Sequence, residues 1–447
     1  MELLASIGTN SFINILLISK KMNRRKLLKS FASLPFIGSL LNSDFVYSKH
    51  NLESNLSSTQ KDLYKDLGVR TFINCAGTYT ALTGSLMPKE VTDAITFGTS
   101  QYVELDELQD RVGERIAELL GCEYATVSSG CFGAMSIGTA GVMSGMDNDK
   151  VTQLPNSKGM KNEVILQDSH FMGYCQAITN VGAKLIKIKS SKELEKSINS
   201  KTAMLWFLNS GNDRGEIKWQ EFVDLGKKYN IPTFIDCAAD VPPVENLFKF
   251  TKMGFDLVAF SGGKGLRGPQ SAGLLLGKRK LIEAARLHTP PRGVTIGRGM
   301  KVNKEEVLGM LTALEIYLKK DHEKEWKMWE GQIKMISDSA KSVDGVQSEI
   351  FVPKYANHVP SLRIYWDTKK IKIYPNQLRH ELRVGHPSIE TTGDNESVGI
   401  TTWMMEPGQE RTVARRIREI LQSATSGYEG SKNVDSDWMG YMKKEKA

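Results

Sequence analysis

The sequence has no CxxC pair, no internal repeat, no low-complexity tract and no Walker-type phosphate loop. Its five cysteines (Cys75, Cys122, Cys131, Cys175 and Cys237) are scattered and have no histidine pattern near them, which excludes a disulfide framework or a zinc site as the organising device. Each lies in or beside an apolar segment, where a free cysteine behaves as a small hydrophobe. Excess charge is also scarce. Lys and Arg number 59 against 51 Asp and Glu, a formal +8, and residues 1–48 hold six Lys/Arg against two Asp/Glu, so half of the excess sits there. The remainder is weak grounds for a nucleic-acid partner. With 447 residues, 40% hydrophobic and 25% charged, the chain has the composition of a globular protein with one large or two unequal domains.

Residues 1–48 read as an export leader. Met22 precedes the twin arginines Arg24 and Arg25, followed by Leu27, Leu28 and Lys29 and an apolar stretch through Leu41. That stretch is too short and interrupted to stay in a bilayer as a helix, and no cysteine before Cys75 offers a lipid anchor. Val46 and Ser48 fit the minus-three and minus-one positions of a cleavage after Ser48, with Met22 a candidate true start. The expectation is export by the twin-arginine route to the periplasm through the export machinery, a cytoplasmic location being the alternative. Residues 49–68 are polar and linker-like.

Beyond them, apolar runs alternate with helical patterns. Strands are predicted at Thr71–Cys75, Ala125–Val127, Glu163–Gln167, Ala183–Ile188 and Ala203–Leu208, in the run ending at Asp236, at Leu257–Phe260 and at Ala272–Leu276. Helical spacing of Leu105, Leu108, Val112, Ile116 and Leu119 stops at Gly121. This alternation predicts a mostly parallel α/β sheet covered on both faces, with ligands at the carboxyl ends of its strands. Ser129, His170, Asp236 and Lys264 all stand at or just past such ends.

Lys264 lies in "FSGGKGLRGPQ", among Gly262, Gly263, Gly265 and Gly268. A lysine leaving a core strand in a close-approach loop is a solvated charge, a phosphate contact or an amine nucleophile. The strand, turn and helix start around Ser129 and Gly130 suit an anion. An anion cup, a flat ring, a carboxylate and a lysine on successive strand ends are together what holds pyridoxal 5'-phosphate.

The blocks "INCAGTYTALTGS", "DELQDRVGERIAELLGCEYATVSSG", "DSHFMGYCQAI", "TFIDCAAD", "FSGGKGLRGPQSAGLLLGKR" and "GRGMKVNKEEVLGMLTALEIYL" stand in that order. In them the chain from Val69 to Leu421 resembles the fold-type-I pyridoxal-phosphate enzymes of the selenocysteine synthase group, and most closely their D-glucosaminate-6-phosphate ammonia-lyase-like branch. The resemblance implies a large domain (residues 69–305) with a mostly parallel seven-stranded sheet, a smaller α+β domain (306–425) and a polar tail (426–447). It implies that Lys264 bonds the cofactor aldehyde, Asp236 partners the pyridine nitrogen and His170 stacks on the ring. Ser129, Gly130 and Cys131 would hold the phosphate, although Cys131 departs from the alanine-like residue expected there. Arg267 is a candidate for the phosphate or a substrate anion and Arg363 for a substrate carboxylate, each against the alternative of a surface charge. The implied activity is that of a lyase releasing ammonia from a small hydroxy-amino acid or amino-sugar acid. Racemase, aldolase or transaminase chemistry, selenium transfer to seryl-tRNA, and an exported binding protein without catalysis are the alternatives. Homodimers are the habit of such enzymes, and tRNA is not an expected partner.

Overall fold

The computed structural model describes residues 61–430, together with Val434 and Trp438. The leader, with Met22 and the twin arginines, and residues 49–60 of the linker lie outside the described residues, as does Tyr441. Residues 61–70 contain one short helix, Leu63–Asp66, whose start is capped by the Asp62 carboxylate accepting from Lys65 N–H at 3.0 Å.

From Thr71 onward the organising element is a seven-stranded sheet: β2 (Tyr124–Ser128), β3 (Glu163–Gln167), β4 (Lys184–Ile188), β5 (Thr202–Leu208), β6 (Thr233–Asp236), β7 (Leu257–Ser261) and β8 (Gly273–Gly277). Their order across the sheet is β2-β8-β7-β6-β5-β3-β4, with only β8 antiparallel to its neighbours. Apolar runs form the central strands because helices cover both faces, whereas the edge strand β4 exposes Lys184 and Lys187. All seven residues of β5 are buried, and Trp206 and Phe207 are wholly enclosed, each contributing on the order of 2–3 kcal/mol of transfer free energy. The helix Gly130–Ser144 is buried nearly all round, and its small residues let it lie close against the sheet and a neighbouring helix: a Cβ at Gly138 would stand 2.7 Å from Phe234 Cε1 of β6, and one at Gly141 2.5 Å from Ala285 N.

The second sheet is antiparallel, in the order β12-β13-β10-β9, from β9 (Val346–Phe351), β10 (Ser361–Trp366), β12 (Thr392–Gly393) and β13 (Val398–Thr401). Two features move the domain boundaries away from 69–305 and 306–425. The helix Lys304–Lys319 places Val307, Met310, Ala313, Leu314 and Tyr317 in the same core as β7 and β8. At the other end β1 (Ile73–Asn74) pairs in parallel with β11 (Ile389–Glu390), and Ile73 and Cys75 join the core of the smaller domain. An amphipathic run shows which of its faces is apolar but not which core receives it. In the tail, Trp438 lies against Tyr79 with ring centroids 4.7 Å apart.

Candidate active site

Lys264 stands three residues beyond β7, in a loop that returns directly into β8. Gly262 N–H donates to Ala272 O at 2.8 Å, Gly268 N–H to Gly262 O at 2.9 Å and Arg267 N–H to Lys264 O at 3.0 Å. The glycines beside the lysine serve close approach: a Cβ at Gly263 would lie 2.3 Å from Gln270 Cα, and one at Gly265 2.0 Å from Val241 O. Lys264 borders two cavities. One, of about 270 Å³, is shared with Thr78, Asp236, Ala238, Asp240 and Asn357; the other, of about 760 Å³, with Ser261, Ser271, Asn303 and Glu306.

Asp236 closes β6 and is 4% exposed. Burial raises its pKa, against the Ala238 N–H that donates to Oδ1 at 2.9 Å, the Cys131 thiol that donates to the same oxygen at 3.4 Å, and the positive charge of Lys264. Oδ2 makes no hydrogen bond among the described residues, although the residue lines the cavity. Cys131 is thus part of the carboxylate's surroundings, and its own thiol is pushed up first by burial and then by Asp236.

Gly130, at φ +66°, opens the helix Gly130–Ser144. The N–H groups of Gly130, Cys131 and Phe132 have no acceptor among the described residues, as the first turn of a helix requires unless something caps it. The Ser129 side chain does not cap it and lines a narrow cleft with Gln109 and Thr289.

Three sequence candidates lie elsewhere. His170 is fully buried beneath the site: Nε2 is 3.0 Å from Gly211 O, Nδ1 accepts from Leu208 N–H at 3.3 Å, and the ring meets Phe207 edge-on at 4.4 Å. The short 3-10 turn Asp168–His170 directs it inward, so Met172 and Tyr174 line the cavity in its place. Arg267, at φ +54°, turns its guanidinium to the Trp403 carbonyl at 2.5 Å. Arg363 sits on β10 directly opposite Glu349 of β9 and pairs with it at 2.8 Å on an exposed face.

The buried histidines carry a stability prediction. Burial lowers the pKa of His170 and of His288, whose Nε2 meets Ser144 Oγ at 2.8 Å, from 6.5 to about 4. A depressed pKa gives stability that is complete above pH 6.5 and is lost as pH falls through 6.5 toward 4, at most about 3 kcal/mol per group. Asp240, raised by burial to about 6, and Asp236, also raised by burial, act oppositely below pH 6, and the two histidines set the net direction. Guanidinium unfolding of the cofactor-free protein should therefore shift to lower denaturant between pH 7 and pH 4.5. An unchanged midpoint would show that the imidazoles are not held neutral.

Thr78, Asp240 and Asn357 were not expected in the cavity. The second acid of "DCAAD" was a legible signal for Asp240. Asn357 arrives from the β9–β10 connection, about 120 residues beyond Asp236, with nothing local to mark it.

The residues present fit pyridoxal phosphate: an amine, a buried carboxylate with a free oxygen, and uncapped N–H groups at the start of the helix Gly130–Ser144 for an anion. Residues 166–351 match the family model of L-seryl-tRNA selenium transferase. D-glucosaminate-6-phosphate ammonia lyase of Salmonella typhimurium is 26% identical over 379 residues, 81% of this chain and 99% of that one. A 5'-C-glycyluridine monooxygenase-decarboxylase of Streptomyces is 25% identical over 374 residues, 80% and 92% of the two chains. The solved structure of D-glucosaminate-6-phosphate ammonia-lyase superposes with a TM-score of 0.72 at 25% identity, covering 82% of this chain and all of that one. By sheet, site and relatives alike, the chain is a pyridoxal-phosphate-dependent enzyme of fold type I, built on the scaffold shared by the selenium transferases and D-glucosaminate-6-phosphate ammonia lyase.

Proposed function

We propose that the protein is an ammonia lyase that carries out α,β-elimination on a small hydroxy-amino acid or amino-sugar acid. The observation that carries this reading is the meeting of Lys264 and Asp236 in one cavity, in a chain similar to an ammonia lyase over four-fifths of its length. Bound there, pyridoxal phosphate supplies an electron sink for the charge that develops at the substrate Cα. Lys264 would hold the cofactor through its amine, and that amine, once free, would take the substrate Cα proton as general base. The same amine, now protonated, is positioned to donate a proton to the departing β-hydroxyl. Asp236, whose Oδ2 is unpaired among the described residues, would hold the ring nitrogen in its protonated form. The free N–H groups at Gly130, Cys131 and Phe132 receive the phosphate, where the helix dipole favours an anion. Water then hydrolyses the released unsaturated amine to ammonia and a keto acid, which completes the reaction.

The test is a screen of D- and L-hydroxy-amino acids and amino-sugar acids with the purified, cofactor-loaded protein. Ammonia and keto acid should appear in equal amounts. Racemised or transaminated product without ammonia would replace the lyase reading with one of those chemistries. We further propose a homodimer, supported by the exposed apolar side chains Leu86, Met87, Phe97, Tyr102 and Val103. Export through the twin-arginine leader, supported by Arg24 and Arg25, would let the protein fold around its cofactor before transport.

A further inference from the structure

The connection between β9 and β10 reaches the site in a conformation that side chains resist. Ala356 (φ +47°) and Asn357 (φ +52°) are consecutive non-glycine residues in the left-handed region. Such strain persists only where the surroundings fix it, and it gathers at functional sites. Here Ala356 N–H donates to Asp240 Oδ1 at 2.9 Å and Asn357 N–H to Ala239 O at 2.7 Å. The result is to set Asn357 against Thr78, whose hydroxyl donates to its Oδ1 at 3.4 Å, both facing the smaller cavity beside Lys264.

The charges around that pair are acidic. Asp236 and Asp240 line the smaller cavity. Glu306 lines the larger, where its carboxylate accepts from Asn303 N–H at 2.8 Å and caps the helix Lys304–Lys319, so a group of this chain already occupies that anion-favouring helix start. Arg267 faces the Trp403 carbonyl instead.

Resting on the lyase reading above, we infer that the site selects amino substrates whose far end is neutral and hydroxylated rather than phosphorylated. Asn357 and Thr78 supply the hydrogen bonds, and Asp240 and Glu306 repel a second anion from either side of Lys264. Asp240 also positions Asn357 by holding the strained loop.

The experiment compares D-glucosaminate with its 6-phosphate, and serine with O-phosphoserine in both enantiomers. Binding is followed through the visible absorption of the cofactor-loaded enzyme, alongside kcat/KM. The unphosphorylated member of a pair should bind at least about tenfold more tightly. Asp240→Asn with Glu306→Gln should narrow that ratio severalfold, and Asn357→Ala should weaken the unphosphorylated member through KM more than through kcat. Thermal melting separates these effects from loss of fold, and Thr78→Val supplies the alternative to Asn357→Ala if the latter is unstable. Equal or tighter binding of the phosphorylated members, or a preference unchanged in the charge variants, would overturn the inference and leave the lyase reading standing. Absence of any spectral response to either pair would defeat the lyase reading itself, and the inference with it.

Discussion

Replacing Lys264 with alanine is expected to abolish turnover, with a loss of about 10³-fold or more, while cofactor is retained only non-covalently. Two roles disappear together, since the same amine both holds the aldehyde and takes the Cα proton, and general-base catalysis alone contributes about 10²–10⁴-fold. The substitution should leave the fold intact. The loop's own hydrogen bonds run between backbone groups of Gly262, Lys264, Arg267, Gly268 and Ala272, and none uses the lysine side chain. Borohydride treatment provides the check. In the wild type, reduction should bleach the visible band and leave a pyridoxyl label on the peptide containing Lys264; in Lys264→Ala no label should form. A label on another lysine, or activity within tenfold of wild type, would remove Lys264 from the mechanism.

Asp236→Ala should be nearly as damaging. A carboxylate 4% exposed is costly to hold charged, and a cationic ring nitrogen held by Asp236 would compensate for that cost. Removing one member of a buried charge pair typically costs about 3–5 kcal/mol, here expressed as roughly 10²- to 10⁴-fold in kcat/KM because the ring nitrogen would lose the partner that keeps it protonated. The cofactor should still bind, since the amine and the helix start are untouched, and its absorption should change in pH dependence. Asp236→Glu distinguishes charge from volume: partial recovery supports the pairing, and full activity in Asp236→Ala would refute it.

Some parts of this site are legible in the sequence and others are not, for identifiable reasons. Asp236 and Lys264 were legible because one closes an apolar run and the other follows one by three residues, and strand ends in a parallel sheet gather along one edge. Their convergence follows from topology, which local patterns encode. Side-chain direction does not follow from the same patterns. His170 stands at the expected strand end, yet one 3-10 turn sends it under the site, where Leu208 N–H and Gly211 O engage both ring nitrogens. Arg363 was misplaced because its direction depends on the register of β10 with β9, which sets it across from Glu349 on the open face. Arg267 was misplaced by a positive φ in a residue type that rarely adopts one. Asn357 escaped altogether: its position comes from contacts with Ala239 and Thr78, both far away in sequence.

The pairing of β1 with β11 has a consequence for how the chain acquires its shape. Ile73 finds its partner at Ile389, more than three hundred residues later, and Thr401 N–H closes onto Cys75 O in the same region. The seven-stranded sheet is complete once residue 277 has been made and its core once the helix ending at Lys319 follows, so the larger body can form while the chain is still being synthesised. The smaller domain must wait, because one of its strands comes first in the chain and the others come last. Such high contact order makes its closure a late and comparatively slow event. The β9–β10 connection that brings Asn357 to the cavity belongs to that late-forming part. Nascent chains of this enzyme should therefore fold their lysine-bearing loop well before they gain the wall that reads the substrate.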